Sequence, residues 1–421
     1  MNYGIHIMQQ KKLLILITFL FLNCINIENY GQEIQFTRGI INSTNLDTLR
    51  NYISILSGES SFTLNNDQST IQSRHSEQSG KEPAAQYISN KLKSFGLEVS
   101  EQKLGPIVKN VYAVQYGTDN SKTVIISAHY DDCGCYTCAK DSSSFAPGAD
   151  DNASGVATTL ECARIISKYP TKYKIVYAFW DAEEQGLIGS NYYATIAANN
   201  KENILGVINL DMIGWNNNND DLIEIHAKDT TAVNIINLPT IITEINNNYN
   251  IGLHPVTFKP GTWRSDHYSF WQKNINAILL IECLYSNDFN RYYHSKNDTY
   301  DKFNLAFYLK ASKLAIGTIA TLAEIHGVDP MEMPTEYVLK QNYPNPVNSQ
   351  TIIEYMLPKE GYVRIDLYNV LGQRIKSLVS EFNYAGTHRV ELETNAISSG
   401  IYFYKMFVND FIQTKKIVVI K

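Results

Sequence analysis

A chain of 421 residues is long enough for two or three domains, and 44% hydrophobic with 11% aromatic residues excludes a disordered protein. Its 36 basic against 42 acidic residues leave a net charge of −6. No basic stripe accompanies that balance, which argues against a nucleic-acid partner.

The chain opens on a targeting segment. Lys11 and Lys12 precede LLILITFLFL, an apolar run of ten residues that is too short to span a bilayer. A basic flank before a short apolar run predicts a secretory signal peptide over residues 1–31, cut between Cys24 and Gln32. Leu22-Asn23 lacks the small residues that lipid attachment at Cys24 requires. No later segment reads as transmembrane, so the mature protein is expected to be soluble or surface-attached.

Residues 32–327 read as one domain. NLDTLRNYISILSG and EPAAQYISNKLKSFGLEVSE predict two helices, the second opening on Glu82-Pro83 and stopping at Gly96. From Leu97 to about His326, strands alternate with helical stretches. That is the pattern of an α/β fold, a mostly parallel sheet sandwiched by helices. Ser154-Gly155 lead into the helical VATTLECARIISKY, and the polar tract from Asn216 to Asp221 reads as a surface turn. Cys133, Cys135 and Cys138 crowd into DDCGCYTCAK, where export permits a loop disulfide whose pairing stays open. Cys162 and Cys283 sit in apolar contexts and read as buried, inert thiols.

Near residue 328 the character changes. VDPMEMPTEYVLKQNYPNPVNSQ holds four prolines, predicting a linker over 328–336. Residues 337–421 follow with the alternating runs TIIEYML, YVRIDLY, HRVELE, IYFYKMFV and KKIVVIK, a small all-β sandwich.

Five short motifs carry the chemistry: SAHYDD with His129, PGADDN with Asp151, WDAEEQG with Glu183 and Glu184, INLDMIG with Asp211, and YYHSKND with His294. Four of them follow strand-like runs, and in an open α/β sheet such positions converge beyond the carboxyl ends of the strands. Two imidazoles among several carboxylates can hold two divalent cations. Asp151, in a loop entering a helix, is placed to bridge them, with His129 and Asp211 completing one shell and Glu184 and His294 the other. Adjacent side chains beyond a strand end diverge, so one of Glu183 and Glu184 binds metal while its neighbour serves as general base. Asp131, in preference to Asp132, is expected to accept the proton of the other ring nitrogen of His129. Any one HxD or EE string is more often a solvated turn or helix face. His75, His254, His326 and His388 read as ordinary histidines, and capping by Ser265 or Asp266 accounts for WRSDHYSF.

Together SAHYDD, APGADDNASGVA, FWDAEEQGLIGS, INLDMIGW, WRSDHYSFW and YYHSKNDT, between about Ile71 and Ala323, resemble the secreted co-catalytic zinc aminopeptidases, including the bacterial leucyl aminopeptidases. The resemblance implies two zinc ions on His129, Asp151, Glu184, Asp211 and His294, with Asp151 bridging and Glu183 as base. It further implies that Tyr293 and Arg264 hold the scissile carbonyl and substrate, and that the Asp151–Asn152 peptide is cis. The cysteine cluster stands outside that pattern. YVLKQNYPNPVNSQTIIEYMLP, LYNVLGQRIKSL and GIYFYKM resemble the C-terminal sorting domain of type IX secretion cargo, which implies passage across the outer membrane followed by removal or anchoring. The expectation is a secreted, monomeric di-zinc aminopeptidase whose partners are peptide substrates and the type IX secretion machinery. Alternatives are a glutaminyl cyclase of the same fold with one zinc, a carboxypeptidase or dipeptidase, and a non-catalytic surface protein on a peptidase scaffold.

Overall fold

The structure, a computed structural model, describes residues 35–420 apart from 65–66, 76–80, 134–145, 230–235, 287, 326–335, 359–360, 384–385 and 396. The signal segment, the linker up to Thr335, His326, Cys135 and Cys138 lie outside the described residues. The chain separates into two compact units, Met1–Gly327 and Val328–Lys421.

An eight-stranded sheet organises the first unit. Its strands are β1 (Glu98–Leu104), β2 (Val108–Gln115), β3 (Asp119–His129), β4 (Tyr173–Trp180), β5 (Ile204–Leu210), β6 (Leu222–Ala227), β7 (His254–Phe258) and β8 (Ala277–Ile281). They lie in the order β1-β2-β4-β3-β5-β8-β6-β7. The inner four, β4, β3, β5 and β8, run parallel. Antiparallel pairs flank them, because β1 returns directly into β2 and β6 pairs antiparallel to β8. The sheet is therefore mixed at its edges and parallel where it is buried.

Period-two alternation assigns the two faces. Val124, Ile126 and Ala128 of β3, with Ile175, Tyr177 and Phe179 of β4, enter the larger apolar core. Ile125, Val176, Ala178 and Trp180 enter a second core on the opposite face. Both faces being apolar, these strands read as near-continuous hydrophobic runs, as parallel strands covered on both sides must. The larger core takes up α1 (Leu46–Leu56), α2 (Lys81–Ser94), α3 (Gly155–Ile166), α5 (Leu238–Asn248) and α7 (Leu305–Leu322). The second takes α4 (Ile188–Asn199) and the short α6 (His267–Trp271). Among the described residues only α7 is long and apolar enough to cross a membrane, and 67% of that stretch is buried inside the fold. It starts at Asn304, whose side chain accepts from Phe307 N, and serves as a core helix.

The second unit is built from two antiparallel sheets. One comprises β9 (Val338–Leu339), β10 (Gln350–Leu357) and β13 (Gly386–Glu393); the other orders β12 (Arg374–Asn383), β11 (Gly361–Asn369), β14 (Gly400–Val408) and β15 (Phe411–Val419). Ile353, Tyr355, Val363, Ile365, Tyr404 and Met406 form its separate core. Strand β12 escapes sequence reading because RIKSLVSEFN is mostly exposed and lacks clean alternation.

Every residue of α3 is buried, and its glycine packs close against β3 and β5. A methyl group at Gly155 would stand 2.4 Å from Asn152 Oδ1 and 2.8 Å from the Leu210 carbonyl oxygen. Gly155→Ala is expected to cost about 1–3 kcal/mol, the usual penalty of overpacking, read as a lower urea midpoint. An unchanged midpoint would mean that the helix start backs off freely from β5.

Candidate metal centre

The chain passes from β3 outward to β4 and then across to β5 on the other side, and this switch opens a crevice beyond the carboxyl ends of β3 and β5. His129 is the last residue of β3, and Asp211 follows β5 at once. Glu183 and Glu184 lie just past β4, Asp151 precedes α3, and His294 comes from the loop after β8.

His129 Nε2 lies 3.3 Å from Asp151 Oδ1 and 3.4 Å from Asp211 Oδ1. His294 Nε2 lies 3.1 Å from Asp151 Oδ2 and 3.0 Å from Glu184 Oε2. Ligands at ~2.0–2.1 Å around a tetrahedral zinc ion stand about 3.3 Å apart, so these separations are those of donors round a shared cation. The two oxygens of Asp151 face the two halves separately. Although His294 Nε2 stands close, Asp151 Oδ2 accepts no hydrogen bond and is buried. The donor set fits metal.

Each ligand is held from behind. His129 Nδ1 donates to the backbone carbonyl of Asp131 at 3.1 Å, which leaves Nε2 facing Asp151 and Asp211. The Asp131 carboxylate stands farther off at 3.6 Å, and instead accepts from the Glu183 and Glu184 amides at 3.1 and 3.2 Å. The expected pairing of that carboxylate with the imidazole is thus replaced by a carbonyl, and the side chain positions the two glutamates. Nor do the glutamates diverge. Ala182 sits at φ 59° and the turn folds back, bringing ligand atoms of Glu183, Glu184 and His129 within 4.8 Å of one another.

Ser265 does not cap a helix either. Its hydroxyl donates to Asp211 Oδ2 at 2.6 Å and accepts from Asn209 Nδ2 at 2.9 Å, while Asp266 makes no side-chain cap bond. The turn carrying Asp151 is fixed by Asp298, whose carboxylate accepts from the Asp150 and Asp151 amides at 3.0 Å. The Asp151–Asn152 peptide is cis. Arg74, fully buried, donates to the carbonyls of Tyr130, Leu56, Pro147 and Gly148 and pairs with Asp132, tying the His129 turn to the Asp151 turn. No motif marks Arg74 in the sequence.

The crevice is also lined by the apolar side chains of Met212, Leu279, Ile281, Leu284 and Phe289. Tyr293 and Arg264 line the same crevice, the tyrosine ring stacked on His294 at 3.6 Å. His75 and His267 are buried, His254 bonds the Asp220 carbonyl, and His388 stacks on Tyr355.

Crowding of acids shapes the protonation. Burial would pull His294 down, but Asp151 and Glu184 push it up to about 10. His129 is likewise held well above its usual range, burial being outweighed by Asp211 and Glu183. Burial and Asp151 push Glu184 up to about 8, and burial with Glu184 raises Glu183 well above its usual range. The Tyr293 phenol is raised by burial and by Asp151, so it stays a donor.

Residues 110–319 match the model described as peptidase family M28, and residues 341–421 match a secretion system C-terminal sorting domain. That tail, of the type IX kind, marks the chain for secretion or outer-surface attachment. The uncharacterized protein YfbL of Escherichia coli is 29% identical over 57% of this chain and 79% of its own length. A probable zinc metalloprotease of Pyrenophora tritici-repentis is 38% identical over 25% of this chain, which spans only 22% of that relative. The LapA aminopeptidase of Legionella pneumophila shares the fold, with TM-score 0.58 at 20% identity over 69% of this chain and 75% of LapA.

Removing Arg74 leaves Asp132 buried beside unpaired carbonyls. Arg74→Met is expected to destabilise the fold by about 3–5 kcal/mol, measured by urea unfolding; a loss under ~1 kcal/mol would contradict its bridging role. The raised imidazole and glutamate groups bind more protons in the folded metal-free protein than in the unfolded chain. Stability of that form is therefore expected to fall as pH rises from about 6.5 toward about 10, the window set by His294. Metal uptake near pH 7 is expected to expel protons from both histidines, read with an indicator dye. Uptake without proton release would show that these are not the ligands.

Proposed function

The chain belongs to peptidase family M28, and on that premise we propose that it is a secreted di-zinc aminopeptidase that removes N-terminal residues from peptides. The observation that carries this reading is the Asp151 carboxylate set between two half-sites, His129 with Asp211 and His294 with Glu184, at 3.0–3.4 Å. His129, Asp151, Glu184, Asp211 and His294 would hold the two ions. Bound there, the pair supplies Lewis acidity toward a carbonyl oxygen and brings the pKa of water near ~7.

The chain's own groups do the rest. The Glu183 carboxylate takes a proton from the attacking water and returns it to the leaving amine. Burial among acids raises its proton affinity in the metal-free centre, and cations bound beside it would lower that affinity toward the range of a general base. Asp131 fixes the backbone of both glutamates, so base and ligand move as one piece. The protonated Tyr293 hydroxyl donates to the developing oxyanion, and Arg264 orients the substrate backbone at the open side of the crevice. A free α-amine is stabilised by the surrounding carboxylates. The side chain of the first residue rests on Met212, Leu279, Ile281, Leu284 and Phe289.

A panel of aminoacyl-nitroanilides assayed before and after chelation tests the reading. Activity is expected to vanish with chelator and return with about two zinc ions per chain. Full hydrolysis restored by one equivalent would contradict the two-ion reading, and turnover confined to N-terminal glutamine without hydrolysis would instead indicate a cyclase. Glu183→Gln is expected to keep its metal and lose roughly 100-fold or more in turnover. Glu184→Gln is expected to lose metal from one half-site. Equal metal loss in both variants with similar turnover would refute the division of roles.

A further inference from the structure

Cys133 follows His129 by four residues and stands against the centre. Asp132 beside it is locked, since its carboxylate accepts from the Arg74 amide at 2.7 Å and from Ser73 Oγ at 3.0 Å. Farther along the chain, Ala146 N donates to the Gln72 carbonyl, and Arg74 holds the carbonyls of Pro147 and Gly148. Cys133 is only 4% exposed. Its Sγ and ligand atoms of Glu184 and His294 all lie within 4.8 Å of one another. On the same half-site Asp151 Oδ2, buried and accepting no hydrogen bond, faces His294 Nε2.

The sulfur is engaged in a disulfide. Cys162 and Cys283 are free thiols, so its partner lies outside the described residues. A disulfide sulfur carries no anionic charge with which to hold zinc, whereas a thiolate at the same place is among the strongest zinc donors. We propose that Cys133 is a latent metal ligand: the disulfide withholds it, and reduction releases a thiolate that joins His294, Glu184 and Asp151 on one metal. This inference rests on the metal centre proposed above.

A catalytic zinc site has three protein ligands and an open position, and a fourth protein ligand closes it. With the disulfide intact, His294, Glu184 and Asp151 leave that position to water or substrate. With it reduced, sulfur fills it, and the centre turns from catalytic to structural. The exchange balances with an external thiol as reductant. Two such thiols become one disulfide and pass two electrons and two protons to the cysteine pair. The Cys133 proton then goes to solvent as its sulfur takes up the metal. The chemistry makes the enzyme active where it is exported and oxidised, and closed wherever thiols keep the loop reduced.

Cobalt(II) in the full-length protein provides the readout. Visible d–d absorption reports whether the centre takes up metal at all; its absence would remove the metal-centre reading itself. With cobalt bound, reduction by a phosphine followed by desalting is expected to produce a near-ultraviolet sulfur-to-cobalt charge-transfer band. Nitroanilide hydrolysis by the zinc form is expected to be lost at the same time, and reoxidation reverses both. Cys133→Ser, and the triple variant C133S/C135S/C138S, are expected to show no such band and hydrolysis that reductant does not alter. Cobalt uptake without the band in reduced wild type, or the band persisting in Cys133→Ser, would overturn the assignment.

Discussion

One buried crevice holds more acid than the fold can carry alone. Asp151, Glu183, Glu184 and Asp211 meet there, with Asp131 and Asp266 fully buried close by, and His129 and His294 stand among them. In a low-dielectric interior such a set cannot remain fully ionised without a compensating cation. The structure shows the alternative in its protonation: histidines held positive, Glu184 pushed up to about 8 and Asp266 to about 7. A divalent metal bound there would substitute for those protons. The surrounding framework of Arg74, Asp298, Asp131 and Ser265 exists to keep mutually repelling carboxylates converging on that point.

How the crevice arises follows from sheet order. Four inner strands run parallel, so their carboxyl ends open on one side. The chain crosses from β4 back over β3 to β5 and separates the helices there. Because both faces of these strands are covered by helices, the side chains within them are mostly apolar, and the candidate ligands gather where strands stop. His129, Asp211 and the glutamates after Trp180 occupy such stops. The apolar wall of Leu279 and Ile281 is the end of β8 continued into the crevice. On the proposed reading, substrate would meet both the metal ligands and hydrocarbon in this crevice.

Much of this was legible in the sequence. Ligand types recurring at the ends of apolar runs pointed to one site, since strand ends converge whatever loops intervene. Helix limits at Gly96 and Gly155 were readable from local chemistry, as were most strands of the second unit. What stayed hidden depends on contacts distant in the chain. Arg74 and Asp298 work through backbone groups 73 and 147 residues away, and no spacing rule anticipates them. Ser265 looked like a cap because Ser-Asp before a helix is the commonest use of that pair, yet its hydroxyl faces Asp211 instead. Likewise Asp131 was matched to the wrong donor: a carbonyl two residues on reached the imidazole first and freed the carboxylate for the glutamate amides. The glutamates themselves were expected to diverge, and only the left-handed Ala182 lets both enter the crevice.

Two cations sharing Asp151 is the claim on which the enzymatic reading turns. Anomalous diffraction at the zinc edge from crystals of the zinc-loaded protein addresses it without reference to activity. The account predicts two peaks about 3.5–4 Å apart, one beside His129 and Asp211, the other beside His294 and Glu184, with one Asp151 oxygen on each. A single peak at full occupancy, with Asp151 bound through one oxygen and the opposite histidine left protonated, would contradict it.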